Sequence, residues 1–254
     1  MSENKQNSSV LFQALENKYN QLRIKFNSVI AILIVFMAFV AFKNPSEKII
    51  TAERINIVEP NGKLRMVLSN KTTSPGNLYY GKEFIKGGNR SGIIFYNDEE
   101  TECGGLVFDG KIDSITKKPT AAGHLSFDQY NQNQVVYLSY SDEDGKKEMG
   151  LNIDEWQDKP SFKDWREQVA QIYSKSTDTS VQRKMYEELL NPGKNRRAYS
   201  KRAFLGRDEA ENAALVLYDK LNRKKIIIHV DSIGLPSIRF LNDKGKVIKV
   251  IDGN

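Results

Sequence analysis

The chain has 254 residues, of which 39% are hydrophobic and 28% are charged, and its formal net charge is +6. This composition is too polar for a polytopic membrane protein, and 12 Phe with 11 Tyr make it too aromatic for a disordered chain. One cysteine, Cys103, and two histidines, His124 and His229, exclude an intrachain disulfide framework and a multi-cysteine metal cluster. We therefore expect neither a cofactor nor a metal site.

One apolar segment lies near the N-terminus. No charged residue occurs between Lys25 and Lys43, and residues 29–42 form an unbroken apolar run. A buried core helix is disfavoured because the run has no polar side. A cleaved signal peptide is also disfavoured, because small residues do not occupy the cleavage positions. The segment predicts a single-pass transmembrane anchor at residues 28–43, followed by a linker at 44–52 in which Pro45 ends the helix.

The layout of the chain predicts how the anchor is oriented. Basic residues flank the anchor on both sides, so the positive-inside rule gives no direction. A short tail before a long domain is the usual layout of a signal anchor. We therefore expect the tail in the cytoplasm and the large C-terminal domain outside it.

Residues 1–27 predict a helix with one apolar seam. Leu15, Tyr19, Leu22 and Phe26 follow each other at the spacing of three and four residues that is typical of a coiled coil. The seam continues without a break into the anchor. Two interpretations stay open: a helix through which copies of the chain form a homo-oligomer, and an amphipathic helix on the membrane surface.

Residues 53–254 carry the period-two pattern of β-strands. Short apolar runs alternate with polar turns rich in Asn, Asp and Gly, and the last turns recur at nearly constant intervals. This pattern predicts a mainly β domain, an antiparallel meander of repeated hairpins that is either an open sheet or barrel-like. Gly62 and Gly245 are expected at positive φ, and residues 226–228 are expected to form a central strand that is covered on both faces.

A helical insertion is predicted at about residues 154–200. Ser161 and Asp164 resemble a capping box, and apolar residues follow at spacings of three and four. A second helix is predicted at residues 180–190, ended by the Asn-Pro-Gly sequence that follows it. We expect this pair of helices to pack on one face or one end of the sheet.

The strand segments also carry a family resemblance. The anchor, followed by ERINIVEPNGKLRMVLSN and GIIFYNDEETECGGLVFDG, resembles bacterial single-pass membrane-anchored proteins with a β-hairpin-repeat domain. The resemblance covers about residues 28–150 and the last hairpins. It implies a location in the cell envelope, and it carries no assigned activity.

A basic segment at residues 194–207 is a candidate anion contact. It holds no acidic residue, and it includes two aromatic residues. Because no nucleic-acid-binding signature accompanies it, an anionic lipid or glycan is favoured over nucleic acid, and a solvated linker is the other interpretation. The basic residues are Lys194, Arg196, Arg197, Lys201, Arg202 and Arg207.

No catalytic residue is predicted. Cys103 lies in the unusual sequence Glu-Cys-Gly-Gly, but neighbouring acidic residues raise the pKa of a thiol rather than activate it. The leading hypothesis is a membrane-anchored, non-catalytic β domain that presents a surface for protein or glycan contact. The alternatives are an envelope enzyme of unknown class and an anion-binding module that uses residues 194–207.

Overall fold

The computed structural model describes residues 2–42, 49–193 and 195–253, and the chain divides into two compact units, Met1–Thr51 and Ala52–Asn254. The predicted calls at residue 43 of the anchor, at 44–48 of the linker and at Lys194 lie outside the described residues. The first unit contains one continuous helix, α1, at Ser2–Phe42, about 60 Å long. Its stretch Phe12–Phe39 is long and apolar enough, by length and composition, to cross a membrane.

The second unit is built on one antiparallel sheet of twelve strands, with a short two-stranded sheet beside it. The order β1-β2-β5-β6-β7-β8-β9-β10-β11-β12-β13-β14 follows the chain, except that β3 and β4 pair only with each other. Strands β1 and β14 form the two edges, so of the two predicted forms the open sheet is present. The strands are β1 Arg54–Val58, β2 Leu64–Ser69, β3 Asn77–Tyr79, β4 Lys82–Ile85, β5 Ser91–Tyr96, β6 Glu102–Ile112, β7 Pro119–Asp128, β8 Gln134–Glu143, β9 Lys146–Trp156, β10 Tyr199–Arg207, β11 Ala213–Tyr218, β12 Lys224–Val230, β13 Pro236–Leu241 and β14 Val247–Asp252.

The same hydrogen-bond pattern forms many of the turns between strands. The N–H of the fourth turn residue donates to the carbonyl of the first, and the fourth residue has positive φ. Gly62 and Gly245 occupy this position with φ of +85° and +75°, as predicted. In five turns the first residue is Asn or Asp, and its side-chain oxygen accepts a bond from the backbone N–H four residues later. Local sequence therefore fixes these connections; the five residues are Asn97, Asp208, Asp219, Asp231 and Asn242.

Two helices lie between β9 and β10, α2 at Phe162–Lys175 and α3 at Thr179–Leu190. The break in the sheet is narrower than predicted, because β9 continues to Trp156. The hydroxyl of Ser161 caps α2 by accepting a bond from the N–H of Asp164, as its sequence indicated. Trp156 of the sheet packs with Trp165, Val169, Leu190 and Ala198 into one buried cluster.

Two insertions, the hairpin of β3 and β4 and the helix pair α2 and α3, lie on the same face of the sheet, which we call the covered face. Val67 and Ile94 point to this face and form a buried cluster with Tyr96, against which Leu78 of β3 packs. The strand register connects Ile94 to Asn152, which shares its face with Trp156 beneath the helices. The opposite face has no insertion packed on it in the parts of the chain that are described.

The prediction of a doubly covered strand at residues 226–228 is wrong. These residues belong to β12, which is third from the β14 edge. Ile227 lies on the covered face and is half-buried, but Ile228 points to the opposite face and is 42% exposed. Within the described part of the β domain, no insertion packs on the side of the run that Ile228 faces.

Candidate contact face and buried carboxylate cluster

The register of the sheet aligns one aliphatic side chain from each of the twelve strands. Each of these residues pairs directly with its counterpart on the neighbouring strand, so the row runs from edge to edge without a gap. All twelve residues are Leu or Ile, and we call the row the ladder. Its members are Ile55, Leu68, Ile93, Leu106, Leu125, Leu138, Leu151, Leu205, Leu215, Ile228, Ile238 and Ile251.

The ladder lies on the face opposite the two insertions, which we call the ladder face. None of its twelve side chains is buried. Leu138 and Leu205, near the middle of the row, are 53% and 54% exposed, whereas Val67 and Asn152 on the covered face are 0% and 1% exposed. Five members of the row are exposed and the other seven are half-buried. Because full burial of an exposed Leu or Ile gains about 1.5–3 kcal/mol, a row of this length favours a covering surface.

A second row extends the apolar area beside the ladder. On every strand its member lies two residues from the ladder residue, always on the same side of the ladder. Ten of its twelve members are apolar. The exceptions are Gly104 and Lys249, and Lys249 lies on the edge strand β14. Together the rows form a continuous apolar surface whose members include Ile57, Met66, Phe95, Phe127, Val136, Ile153, Ala203, Leu217, Ile226 and Phe240.

The ladder face is concave at its C-terminal end. Strands β10 to β14 enclose an open groove of about 660 Å³ there. Its walls include five members of the ladder, Leu205, Leu215, Ile228, Ile238 and Ile251. The groove therefore offers an apolar recess within an otherwise extended surface.

A polar cluster lies on the covered face where β5, β6 and β7 meet. The guanidinium of Arg90 donates to both carboxylate oxygens of Glu102, at 2.7 and 3.2 Å, and Asn77 donates to the same carboxylate at 2.8 Å. Both partners of the ion pair are largely shielded from water. Burial, followed by the charge of Glu102, raises the pKa of Tyr96, whose hydroxyl is buried without a partner among the described residues.

Asp128 is the most perturbed carboxyl of this cluster. Burial, followed by the charge of Glu102, raises its pKa to about 7, while the hydroxyl of Ser126 and the charge of Arg90 act in the opposite direction. Asp128, Asn131 and Gln132 line a cavity of about 20 Å³, and each has one buried oxygen without a partner in the described part of the chain. A proton on Asp128 supplies a donor to this group of acceptors.

The cysteine of the neighbouring Glu-Cys-Gly-Gly sequence is not activated. Burial raises the pKa of the Cys103 thiol, and the carboxylate of Asp128 raises it further. A raised pKa leaves the thiol protonated at neutral pH. The raised pKa therefore disfavours the thiolate that a nucleophilic cysteine needs.

The predicted anion-contact residues do not form a single patch in the described part of the chain. Arg202 pairs with Glu155. Arg207 donates to the carbonyl of Lys147 at 2.7 Å and pairs with Glu211 at 2.8 Å.

The other basic side chains of the segment are engaged locally or lie apart. Arg197 donates to the side-chain oxygen of Asn191 at 3.1 Å, and Lys201 lies over the ring of Phe204. Arg196 is exposed before the strand. Lys201 and Arg207 are at opposite ends of β10, so anion binding stays a prediction without a shared site.

The predicted seam of the N-terminal helix is exposed along one side of α1. Leu15, Tyr19, Leu22 and Phe26 are each at least 59% exposed. Tyr19, Leu22 and Phe26 line a shallow apolar recess together with Val29. Such a stripe fits either predicted use, a second helix or a membrane surface.

Sequence reasoning found neither the ladder nor the carboxylate cluster. Leu205 and Leu215 lie three residues before and seven after Asp208, and Ile228 and Ile238 lie at the same distances from Asp231. Counting from the turns was therefore a usable signal for the ladder. No comparable signal marks Glu102 and Asp128.

Comparison with known proteins adds no function to these surfaces. No protein-family model and no curated protein matches the sequence of this chain. The resemblance to bacterial single-pass membrane-anchored proteins therefore stays a prediction.

Proposed function

We propose that this protein is a membrane-anchored, non-catalytic contact protein whose ladder face binds protein. The observation that carries the proposal is the ladder itself: twelve Leu or Ile residues in one uninterrupted row, none of them buried. A soluble surface rarely exposes a contiguous apolar area of this extent unless it is a binding surface. The helix α1 holds the domain at a membrane, with the large domain outside the cytoplasm.

The chemistry of the ladder favours protein over glycan. Glycans are bound by hydrogen-bonding groups and aromatic rings, whereas the ladder consists of aliphatic side chains alone. The core of a protein interface is depleted of charge, and Lys249 is the one charged residue in the two apolar rows. Of the two contact surfaces predicted from the sequence, the protein-contact surface is therefore the one proposed.

An enzymatic role is not favoured by the carboxylate cluster. Glu102 is held by Arg90 and Asn77, so it is not free to accept a proton from a substrate. The cavity beside Asp128 measures about 20 Å³, and the open pocket that Arg90, Glu102 and His124 line at the same cluster measures about 240 Å³. Both are smaller than substrate pockets, which measure roughly 300 Å³ or more. The cluster is better explained as part of the folded interior.

The anchor has a direct test. Replacing Leu33 and Phe36 together with Lys should move the full-length protein from the membrane fraction to the soluble fraction. Each lysine at the centre of a spanning helix costs roughly 3 kcal/mol of insertion free energy. Fractionation with a carbonate wash measures the effect. The control is Leu15→Lys/Leu22→Lys, which places the same substitutions outside the apolar run and should stay with the membrane. If both variants leave the membrane fraction, the assignment of the anchor to residues 28–43 is contradicted.

The contact face is tested by photocrosslinking in cells. A photoreactive amino acid that replaces Leu138 should form protein adducts, because this ladder position lies in the proposed interface. The same amino acid at Ile115, which is 87% exposed in the turn between β6 and β7, should form few. Immunoblotting and mass spectrometry detect the adducts. Equal yields at the two positions, or none at Leu138, contradict a protein-binding ladder face.

A further inference from the structure

We infer that the partner of the ladder face is a second copy of this chain, so that two sheets pack ladder against ladder. This inference rests on the proposed function, since it names the protein that the ladder face binds. Three properties carry it: the area of the face, the uniformity of the side chains in the ladder and the position of the charges on the face.

The area of the face matches that of a stable interface. Twelve strands about 4.8 Å apart make each row about 55 Å long, and two rows about 7 Å apart cover a strip about 14 Å wide. The apolar strip therefore measures about 800 Å², which is about the area that each partner contributes to a stable interface of standard size. A second copy supplies the same area without any further element.

The side chains of the ladder are self-complementary. In a two-fold symmetric dimer the same patch faces itself, so every protrusion must meet a recess of matching size. Side chains of nearly equal volume, repeated at the strand spacing, favour this condition along the row, and the groove over β10 to β14 is a recess that side chains of the second copy must fill. Two such faces can pack about 10 Å apart with their side chains interdigitated, as in a β-sandwich.

Charges do not oppose this packing. Like charges near a symmetry axis repel each other, but the centre of the ladder face carries none. Lys249 lies on the edge strand, away from the centre. Arg207, in the row on the other side of the ladder, is paired with Glu211. The polar cluster of Arg90 and Glu102 lies on the covered face and takes no part.

The N-terminal helix is compatible with the same partner. Leu15, Leu22 and Phe26 present an exposed apolar stripe on α1, and such a stripe fits a second helix as well as a membrane surface. Two copies anchored in one membrane are held at high effective concentration. Contact between the helices of two copies then favours contact between their ladder faces, and the reverse also holds.

The test is the mass of the full-length protein in detergent, measured by analytical ultracentrifugation. Wild-type protein should contain at least two chains per particle. The double variant Leu138→Glu/Leu205→Glu, in a Leu15→Lys/Leu22→Lys background, should be monomeric, because each glutamate would be buried without a partner. The control pair Ile115→Glu/Ile233→Glu in the same background should stay oligomeric. Both control residues are more exposed than the ladder residues, at 87% and 79%.

A second measurement does not depend on the folding of the charged variant. In a Cys103→Ser background, Leu138→Cys should be joined to a second copy by a short bismaleimide, with at least tenfold more dimer than Ile115→Cys. Equal dimer yields, a monomeric wild-type protein, or an unchanged mass of the ladder variant overturns the inference. A photocrosslink from Leu138 to a different protein, with a monomeric wild type, overturns the second copy and leaves the proposed function standing. If Leu138 gives no adduct, the proposed function fails as well.

Discussion

Gly206→Ala should lower the melting temperature of the β domain by about 6–12 °C. A Cβ atom on Gly206 would lie 2.0 Å from the carbonyl oxygen of Met149 and 2.6 Å from the Cα of Gly150. Both neighbours are backbone atoms of β9, so the strand pair must move apart. Overpacking of this kind costs roughly 3 kcal/mol, and for a domain of this size each kcal/mol corresponds to about 2–4 °C.

The matched control for this substitution is Gly193→Ala. A Cβ atom on Gly193 meets no atom within 4 Å, so the added methyl group causes no clash. Both variants restrict the unfolded chain equally, which removes that effect from the comparison. Thermal unfolding followed by circular dichroism measures the difference, and equal melting temperatures would show that β9 and β10 do not approach as closely as the structure has them.

The turns of the sheet were predictable because their chemistry is local. Asn242 and Gly245 act within one short loop, where the side chain of Asn242 accepts bonds from nearby N–H groups and Gly245 takes a positive φ. Neither property depends on distant parts of the chain. The start of α2 was predictable for the same reason, since Ser161 caps a helix that begins at the next residue.

The role of an apolar run was not predictable in the same way. Residues 226–228 have apolar side chains on both faces, and this pattern is the same whether the second face is covered within the chain or by another molecule. Coverage depends on where the two insertions pack, which is a property of the whole sheet. Equal offsets from two turns mark four members of the ladder in the sequence, but the complete row exists only when all twelve strands are in register.

The carboxylate cluster could not be predicted because its properties depend on burial. Glu102 and Asp128 lie 26 residues apart, and pairing of β6 with β7 brings their strand ends together. Sequence identifies both as acidic residues near turns, which are usually solvated. The pKa of Asp128 rises because it is buried beside Glu102, and burial is known only from the structure.

Asp128→Asn should stabilise the domain at pH 8 and have little effect at pH 4. In the folded protein, burial and the charge of Glu102 raise the pKa of Asp128 to about 7, whereas an aspartate in an unfolded chain titrates near pH 3.9. Between these values the folded state holds a proton that the unfolded state has released. The free energy of unfolding therefore falls as the pH rises from about 4 to about 7, and it stays low above that range.

Asparagine is neutral at every pH, so it removes this loss while keeping an oxygen that can accept the hydrogen bond from Ser126. The expected gain at pH 8 is a few kcal/mol, since each unit of pKa difference corresponds to about 1.4 kcal/mol. Asp158→Asn is the control, because Asp158 is exposed and the asparagine keeps the oxygen that accepts from Gln129. Denaturant unfolding at pH 4, 6 and 8 measures all three proteins. If the free energies of unfolding of wild type and Asp128→Asn change in parallel with pH, the pKa of Asp128 is not raised toward neutrality in the folded protein.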